Sequence, residues 1–183
     1  MITTERLIVR PFRDSDAGDL YDYLSRPEVF TFEHGGPVSA EVAQKIAREW
    51  AQSTQFHAMT LREPPHKLIG HVSLERSGPE HLRTWEIGYM VHPDFQRLGY
   101  AAEASRALIR YAFTELGAHR IVSHCSPENP ASWKVLEKCG LRKEGLELKN
   151  IYFRTDENGD PRWFDSYWYA ILEEEFFAGG GPS

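Results

Sequence analysis

The chain has 183 residues, 41% of them hydrophobic and 26% charged, with a net charge of −6. That length is one domain's worth and buries roughly two-thirds of the unfolded chain's surface, and the balance excludes disorder across the body of the chain. No run approaches the about 18 to 20 apolar residues of a membrane helix, no basic face suggests nucleic acid, and the acidic balance mildly favours a cationic partner such as an amine.

The opening residues MITTERLIVRPF put Glu5 and Arg6 where a signal peptide needs an unbroken apolar stretch. Residues 5–10 alternate polar and apolar and read as a strand. Asp14 or Ser15 can cap a helix with Ala17, Leu20 and Leu24 on its apolar face, ending before Pro27. After Gly35-Gly36-Pro37, Ser39 caps a second helix with Val42, Ala43, Ile46, Ala47 and Trp50 on one stripe. Residues 56–62 and 67–75 read as a hairpin turning at Glu63-Pro64-Pro65-His66, and residues 84–91 as the next strand. A turn containing Pro93 leads to a long, apolar helix from Ala101 to Leu116, capped by Gly117.

Residues 120–126 form a further strand. Asn129-Pro130 starts a helix that stops at Gly140, and residues 149–172 read as two strands joined at Asn158-Gly159. The order β-α-α-β-β-β-α-β-α-β-β predicts an α/β fold with one mixed sheet and helices on its faces. The whole of 1–177 is expected to be one domain and 178–183, AGGGPS, a flexible tail. Two cysteines, Cys125 and Cys139, make no CxxC pair and no disulfide scaffold, which points to a reducing cytoplasm. Both fall at apolar positions and read as core, as do Trp163, Phe164, Tyr167, Trp168 and Tyr169. The histidines are scattered without metal-ligand spacing, so no metal is expected, and Asp156 to Asp160 reads as a hairpin tip and not a calcium loop.

The stretch Met90 to Glu103 carries the chemistry. A strand ends and passes through Gln96-Arg97-Leu98-Gly99-Tyr100-Ala101 into a helix whose first backbone N–H groups have no intrahelical partner. A diphosphate can be held there. Gly99 and Ala101 keep the approach open, and Arg97 adds a positive charge. The same pattern also reads as a tight turn that uses glycine for its backbone freedom. It matches neither a P-loop nor a dinucleotide fingerprint.

Val91, Pro93, Gln96, Gly99 and Ala101, in the pattern V-x-P-x-x-Q-x-x-G-x-A, resemble the acetyl-CoA pyrophosphate loop of the GNAT acetyltransferase superfamily. Asn129-Pro130-Ala131-Ser132, then Cys139-Gly140-Leu141 and Glu144-Gly145, resemble its second cofactor motif. The opening TERLIVRPF and closing WFDSYWYAIL are similar to its ribosomal-protein-alanine N-acetyltransferase branch. The resemblance spans nearly the whole chain. It implies a mixed, mostly antiparallel twisted sheet with helices on both faces, and a pantetheine arm between two splayed parallel strands, 84–91 and 120–126. It implies acetyl-CoA as co-substrate, contacted by Met90, Val91, Gln96, Arg97, Leu98, Gly99, Tyr100, Ala101, Asn129 and Ser132.

On that resemblance the chain is expected to be an N-acetyltransferase for a primary amine, a protein N-terminus or a small molecule, working as a monomer or homodimer by direct attack in a ternary complex. Glu86 is the expected base, acting through water. Strand parity sets it with Gly88 and Met90 on one face, with open space at Gly88 for substrate; it also reads as an ordinary solvated strand residue. The backbone N–H near Val91 would stabilise the oxyanion. Leu136 stands where many relatives carry a tyrosine acid, so Ser132, one turn earlier, is expected to hydrogen-bond the leaving sulfur; it also reads as a plain first-turn serine. The missing tyrosine raises a second reading, a non-catalytic acyl-CoA-binding sensor module. His71, Ser73 and Glu75 share one face of their strand, which could line the acceptor pocket or face solvent.

Overall fold

The computed structural model describes residues 1–179. Its elements are β1 (Ile2–Thr3), β2 (Leu7–Pro11), α1 (Ala17–Leu24), α2 (Ala40–Ala51), β3 (Phe56–Leu61), β4 (Leu68–Arg76), β5 (Thr84–Val91), α3 (Tyr100–Glu115), β6 (Arg120–Cys125), α4 (Pro130–Lys138), β7 (Arg142–Thr155), β8 (Pro161–Leu172) and α5 (Glu173–Ala178). The strands form one eight-stranded sheet in the order β1-β2-β3-β4-β5-β6-β8-β7, with helices around it. The sheet is mostly antiparallel. Its one parallel pair joins β5 to β6, with Thr84 opposite Arg120, Trp85 opposite Ile121 and Glu86 opposite Val122.

The chain divides into two compact units, Met1–Leu74 with Gly88–Leu108, and Glu75–Ile87 with Ile109–Ser183. In the first, the core gathers Phe12, Leu20, Tyr23, Leu24, Ala43, Ala47, Ala58 and Leu68. Trp50 stacks on Phe56 at 4.3 Å and meets Phe12 edge-on at 5.0 Å. These positions recur at helical spacing on α1 and α2, which is why both helices bury one face. In the second unit, Phe113, Ile121, Val122, Leu136, Leu141, Phe164, Tyr169 and Phe176 are buried.

Local signals hold where they depend on near neighbours. Ser39 Oγ accepts from Val42 N at the start of α2, and Gly117 and Gly140 take positive φ where α3 and α4 stop. Other expectations are corrected. Neither Asp14 nor Ser15 caps α1: a 3-10 turn spans Asp14–Asp16, and the Asp16 carboxylate accepts from Arg13 N at 2.8 Å and pairs with Arg10. Val42 lies outside the buried stripe and is exposed, as is Trp163 on the outer part of β8. His71 is buried, not solvated: its Nδ1 sits 2.8 Å from Tyr23 Oη, and burial pushes the imidazole down to about 3.

Strand β7 starts at Arg142, not near residue 149, with register shifts that interrupt any alternation. Its pairing to β8, and not its side-chain pattern, makes it a strand. The hairpin tip is held by Asp156, whose Oδ1 accepts from Asn158 N and Asp160 N. The acidic run Glu173-Glu174-Glu175 opens α5, and the Glu175 carboxylate accepts from Leu172 N at 2.8 Å. Ala178 closes that helix, Gly179 follows, and the rest of the expected tail, 180–183, lies outside the described residues.

Candidate active site

The candidate residues fall in three groups. The first is the connection from β5 to α3. After Val91 the chain makes a 3-10 turn over Pro93–Phe95 and enters α3 at Tyr100. Arg97 (φ 62°) and Gly99 (φ 88°) are left-handed, with Leu98 between them not so. Alternating handedness turns successive N–H groups toward one side, the arrangement that binds anions. The segment 96–99 is exposed, and Gln96 Nε2 donates to Val91 O at 3.1 Å, closing the loop back on its strand.

Arg6 braces this loop. Its Nη1 donates to Leu98 O at 2.9 Å, its Nε donates to Glu103 Oε2 at 2.7 Å, and its guanidinium lies 4.5 Å over the Tyr100 ring. A Cβ on Gly99 would come 3.3 Å from Arg6 Nη2, so a side chain there meets the brace as well as left-handed strain. Glu103, in the first turn of α3, also accepts from Thr4 Oγ1 at 2.6 Å and Arg6 N at 2.8 Å. Burial raises the Glu103 carboxyl, but these hydrogen bonds outweigh it and hold it below its ordinary range. An exposed loop with two left-handed residues, a glycine whose Cβ would crowd Arg6, and the exposed Arg97 fit the diphosphate of a CoA thioester.

The end of β5 is also set by Gly70 on β4. Gly70 has φ 152°, and a Cβ there would lie 2.2 Å from Met90 O, so only glycine lets β5 approach. His92 follows, buried, with its N donating to Ile69 O at 2.8 Å and its Nδ1 accepting from Asp94 N at 3.1 Å. Arg26, just past α1, grips the Asp94 carboxylate with both guanidinium nitrogens at 3.0 and 3.1 Å. Gly88 does not open space as expected: a Cβ there would meet Ser73 Oγ at 2.7 Å, so that hydroxyl fills the gap.

The second group is on β5 and β6. Glu86 is partly exposed, with Oε1 3.0 Å from His124 Nδ1 and Oε2 3.5 Å from Ser77 Oγ. Because Glu86 pairs with Val122, His124 two residues on falls on the same face of β6. Its ring meets Trp168 edge-on at 3.9 Å. Ser123, on the opposite face, donates to Ile87 O at 2.8 Å.

The third group begins α4. Asn129 Oδ1 accepts from Ser132 N at 3.2 Å, with Pro130 in the first helical position. The Ser132 hydroxyl hydrogen-bonds the Cys125 thiol, which burial pushes up to about 11. Leu136, in the tyrosine's usual place, is fully buried core. Tyr169 donates to Glu137 Oε1 at 3.1 Å, and burial and that contact both push its hydroxyl upward.

The sequence singles out the loop, Glu86, Asn129 and Ser132, but not Arg6 as a brace or His124 as the neighbour of Glu86. Arg6 had a signal, since it lies in the TERLIVRPF stretch; His124 in a strand of mixed character had none. Among the described residues no group of His, Cys, Asp or Glu is placed to hold a metal ion, and no helix is long and apolar enough to cross a membrane.

Comparison with known proteins bears on the same residues. The acetyltransferase (GNAT) domain family matches residues 6–142. The chain is 37% identical to the uncharacterized N-acetyltransferase YnaD of Bacillus subtilis, over 96% of this chain and 98% of that protein. A crystal structure of a GNAT-family acetyltransferase from Bacillus anthracis superposes with a TM-score of 0.85 at 34% identity, covering 95% of this chain and 99% of the other. The ribosomal protein uS5-alanine N-acetyltransferase of Escherichia coli is a more distant relative, 28% identical over 97% of this chain and 93% of its own. The likeness to the ribosomal-protein branch is therefore weaker than the likeness to the wider family.

Proposed function

The chain belongs to the GNAT acetyltransferase family and is an N-acetyltransferase that moves an acetyl group to an amine; on that premise we propose that the acceptor is a primary amine, a protein N-terminus or a small molecule, acetylated by direct attack in a ternary complex. When bound, acetyl-CoA supplies the thioester carbonyl. The segment Met90 to Ala101, with Gln96, Arg97, Leu98, Gly99 and Tyr100, would hold its diphosphate and pantetheine, and Asn129 and Ser132 would add contacts. The N–H near Val91 would stabilise the oxyanion.

An α-amine, with a pKa of about 7.7 to 8.0 against about 10.4 for lysine, needs only modest help to lose its proton. Glu86 supplies that help through an intervening group, and Ser132 donates a hydrogen bond to the leaving sulfur. The observation that carries the direct route is the state of the thiols. Cys139 is buried, and Cys125 is buried, bonded to Ser132 and pushed up to about 11. Neither is poised to carry the acetyl group, because the thiolate is the nucleophile. We take the enzyme to be cytoplasmic, as a monomer or homodimer, with 1–177 one catalytic domain. The free thiols support a reducing compartment, and the family match, which includes parts of both units, supports one domain.

The test is a thermal-unfolding titration with acetyl-CoA, with acetate and ATP as controls, followed by thiol release with a panel of amines that includes an alanine-initiated peptide and a polyamine. At about 100 times its Kd, acetyl-CoA should add roughly 2.7 kcal/mol. No shift at millimolar acetyl-CoA rejects the cofactor site. A shift without thiol release for any amine returns the chain to the acyl-CoA sensor reading.

A further inference from the structure

Both carboxylate oxygens of Glu86 face protein groups, Oε1 toward His124 Nδ1 at 3.0 Å and Oε2 toward Ser77 Oγ at 3.5 Å. An ionised carboxylate only accepts, so Nδ1 carries the hydrogen of that contact. In the neutral ring the lone pair then belongs to Nε2. Among the described residues Nε2 has no protein partner and is not sealed from solvent, and the His124 side chain is 28% exposed. Trp168 fixes the plane of the ring at 3.9 Å and 76°. The pair therefore presents its free basic atom on the imidazole and not on the carboxylate.

We propose that His124 Nε2 takes the proton from the acceptor amine, with Glu86 behind it holding the Nδ1–H tautomer and balancing the imidazolium. This rests on the reading that Glu86 drives deprotonation, and it puts a ring nitrogen where a water was expected. The ammonium gives one proton to His124 Nε2. The neutral nitrogen then bonds to the acetyl carbon as the carbon–sulfur bond breaks, and its second proton ends on the departing sulfur. The products are the amide and CoA thiol, and His124 returns its proton to water. The logic is that of a carboxylate orienting a histidine base, with an amine in place of a hydroxyl.

Two measurements decide it. Nitrogen-15 spectra of the neutral ring should show His124 as the Nδ1–H tautomer in the wild type and a swing toward Nε2–H in Glu86→Ala; an Nε2–H ring in the wild type overturns the assignment. In turnover with acetyl-CoA and the most active amine of the panel, His124→Ala should lose about 10²- to 10⁴-fold, with free imidazole restoring part of it. His124→Asn, which keeps a donor toward Glu86, should stay as low as the alanine variant. Near-wild-type turnover in His124→Asn means the histidine only orients Glu86, and the inference falls. Loss in Glu86→Gln with none in His124→Ala overturns the inference and leaves the Glu86 reading standing; no loss in either removes both. An unchanged acetyl-CoA thermal shift in each variant shows that the fold has survived.

Discussion

The loop from Gln96 to Gly99 and the pair formed by Glu86 and His124 are built by opposite means. On the proposed reading, the working groups of the loop belong to the backbone. Arg97 and Gly99 are left-handed, a Cβ at Gly99 would crowd Arg6, and Arg6 holds the Leu98 carbonyl. In the pair the working groups are side chains on two strands, 38 residues apart, joined by a 3.0 Å contact. A backbone-built site is tolerant of which side chains it carries but intolerant of a change in φ. A side-chain-built site is the reverse: it can be abolished by replacing one atom while the backbone stays still.

That contrast can be broken at several points. Outside the Glu86–His124 pair, the largest effect is expected from Gly99→Val, which puts a branched side chain at φ 88° and against Arg6. Strain of about 1–2 kcal/mol should weaken acetyl-CoA binding by about tenfold or more, read from the concentration dependence of the thermal shift. Wild-type binding in this variant would mean that the loop's conformation is not what holds the ligand. Ser132→Ala comes next. It removes one hydrogen bond of about 1 kcal/mol and should lower kcat about fivefold, with acetyl-CoA affinity little changed. An unaltered kcat would leave Ser132 as the partner of Cys125 and nothing more. The smallest effect belongs to Arg97→Ala, because an exposed ion pair contributes about 0.2–1 kcal/mol. Binding should weaken by about threefold, and less at high salt. A loss beyond tenfold would show that the loop depends on this side chain and would erase the distinction.

The same division explains what could be read in advance. The run from Val91 to Ala101 is legible because the turn, the glycine and the helix start are neighbours in sequence, and their geometry follows from local backbone preferences. Asn129-Pro130 and Ser39 are legible for the same reason. His124 is not, because its meaning comes from the parallel register that sets Glu86 opposite Val122. Gly88 misled for a related cause. A glycine beside a carboxylate suggests space, yet Ser73 Oγ on β4 already fills it. Gly70 is a similar case, an unremarked glycine that admits the Met90 carbonyl.

By itself, then, the amino-acid sequence determined the order of the main strands and helices, the turn and helix start between Val91 and Ala101, and the helix start at Asn129. Each depends on contacts within a few residues, where backbone sterics and capping leave few choices. The tertiary structure alone decided that Arg6 braces that loop, that β7 begins at Arg142 and that His124 stands beside Glu86. Those depend on strand register and on which distant side chains share a face, and register is set by the packing of the whole sheet and not by any local stretch of chain.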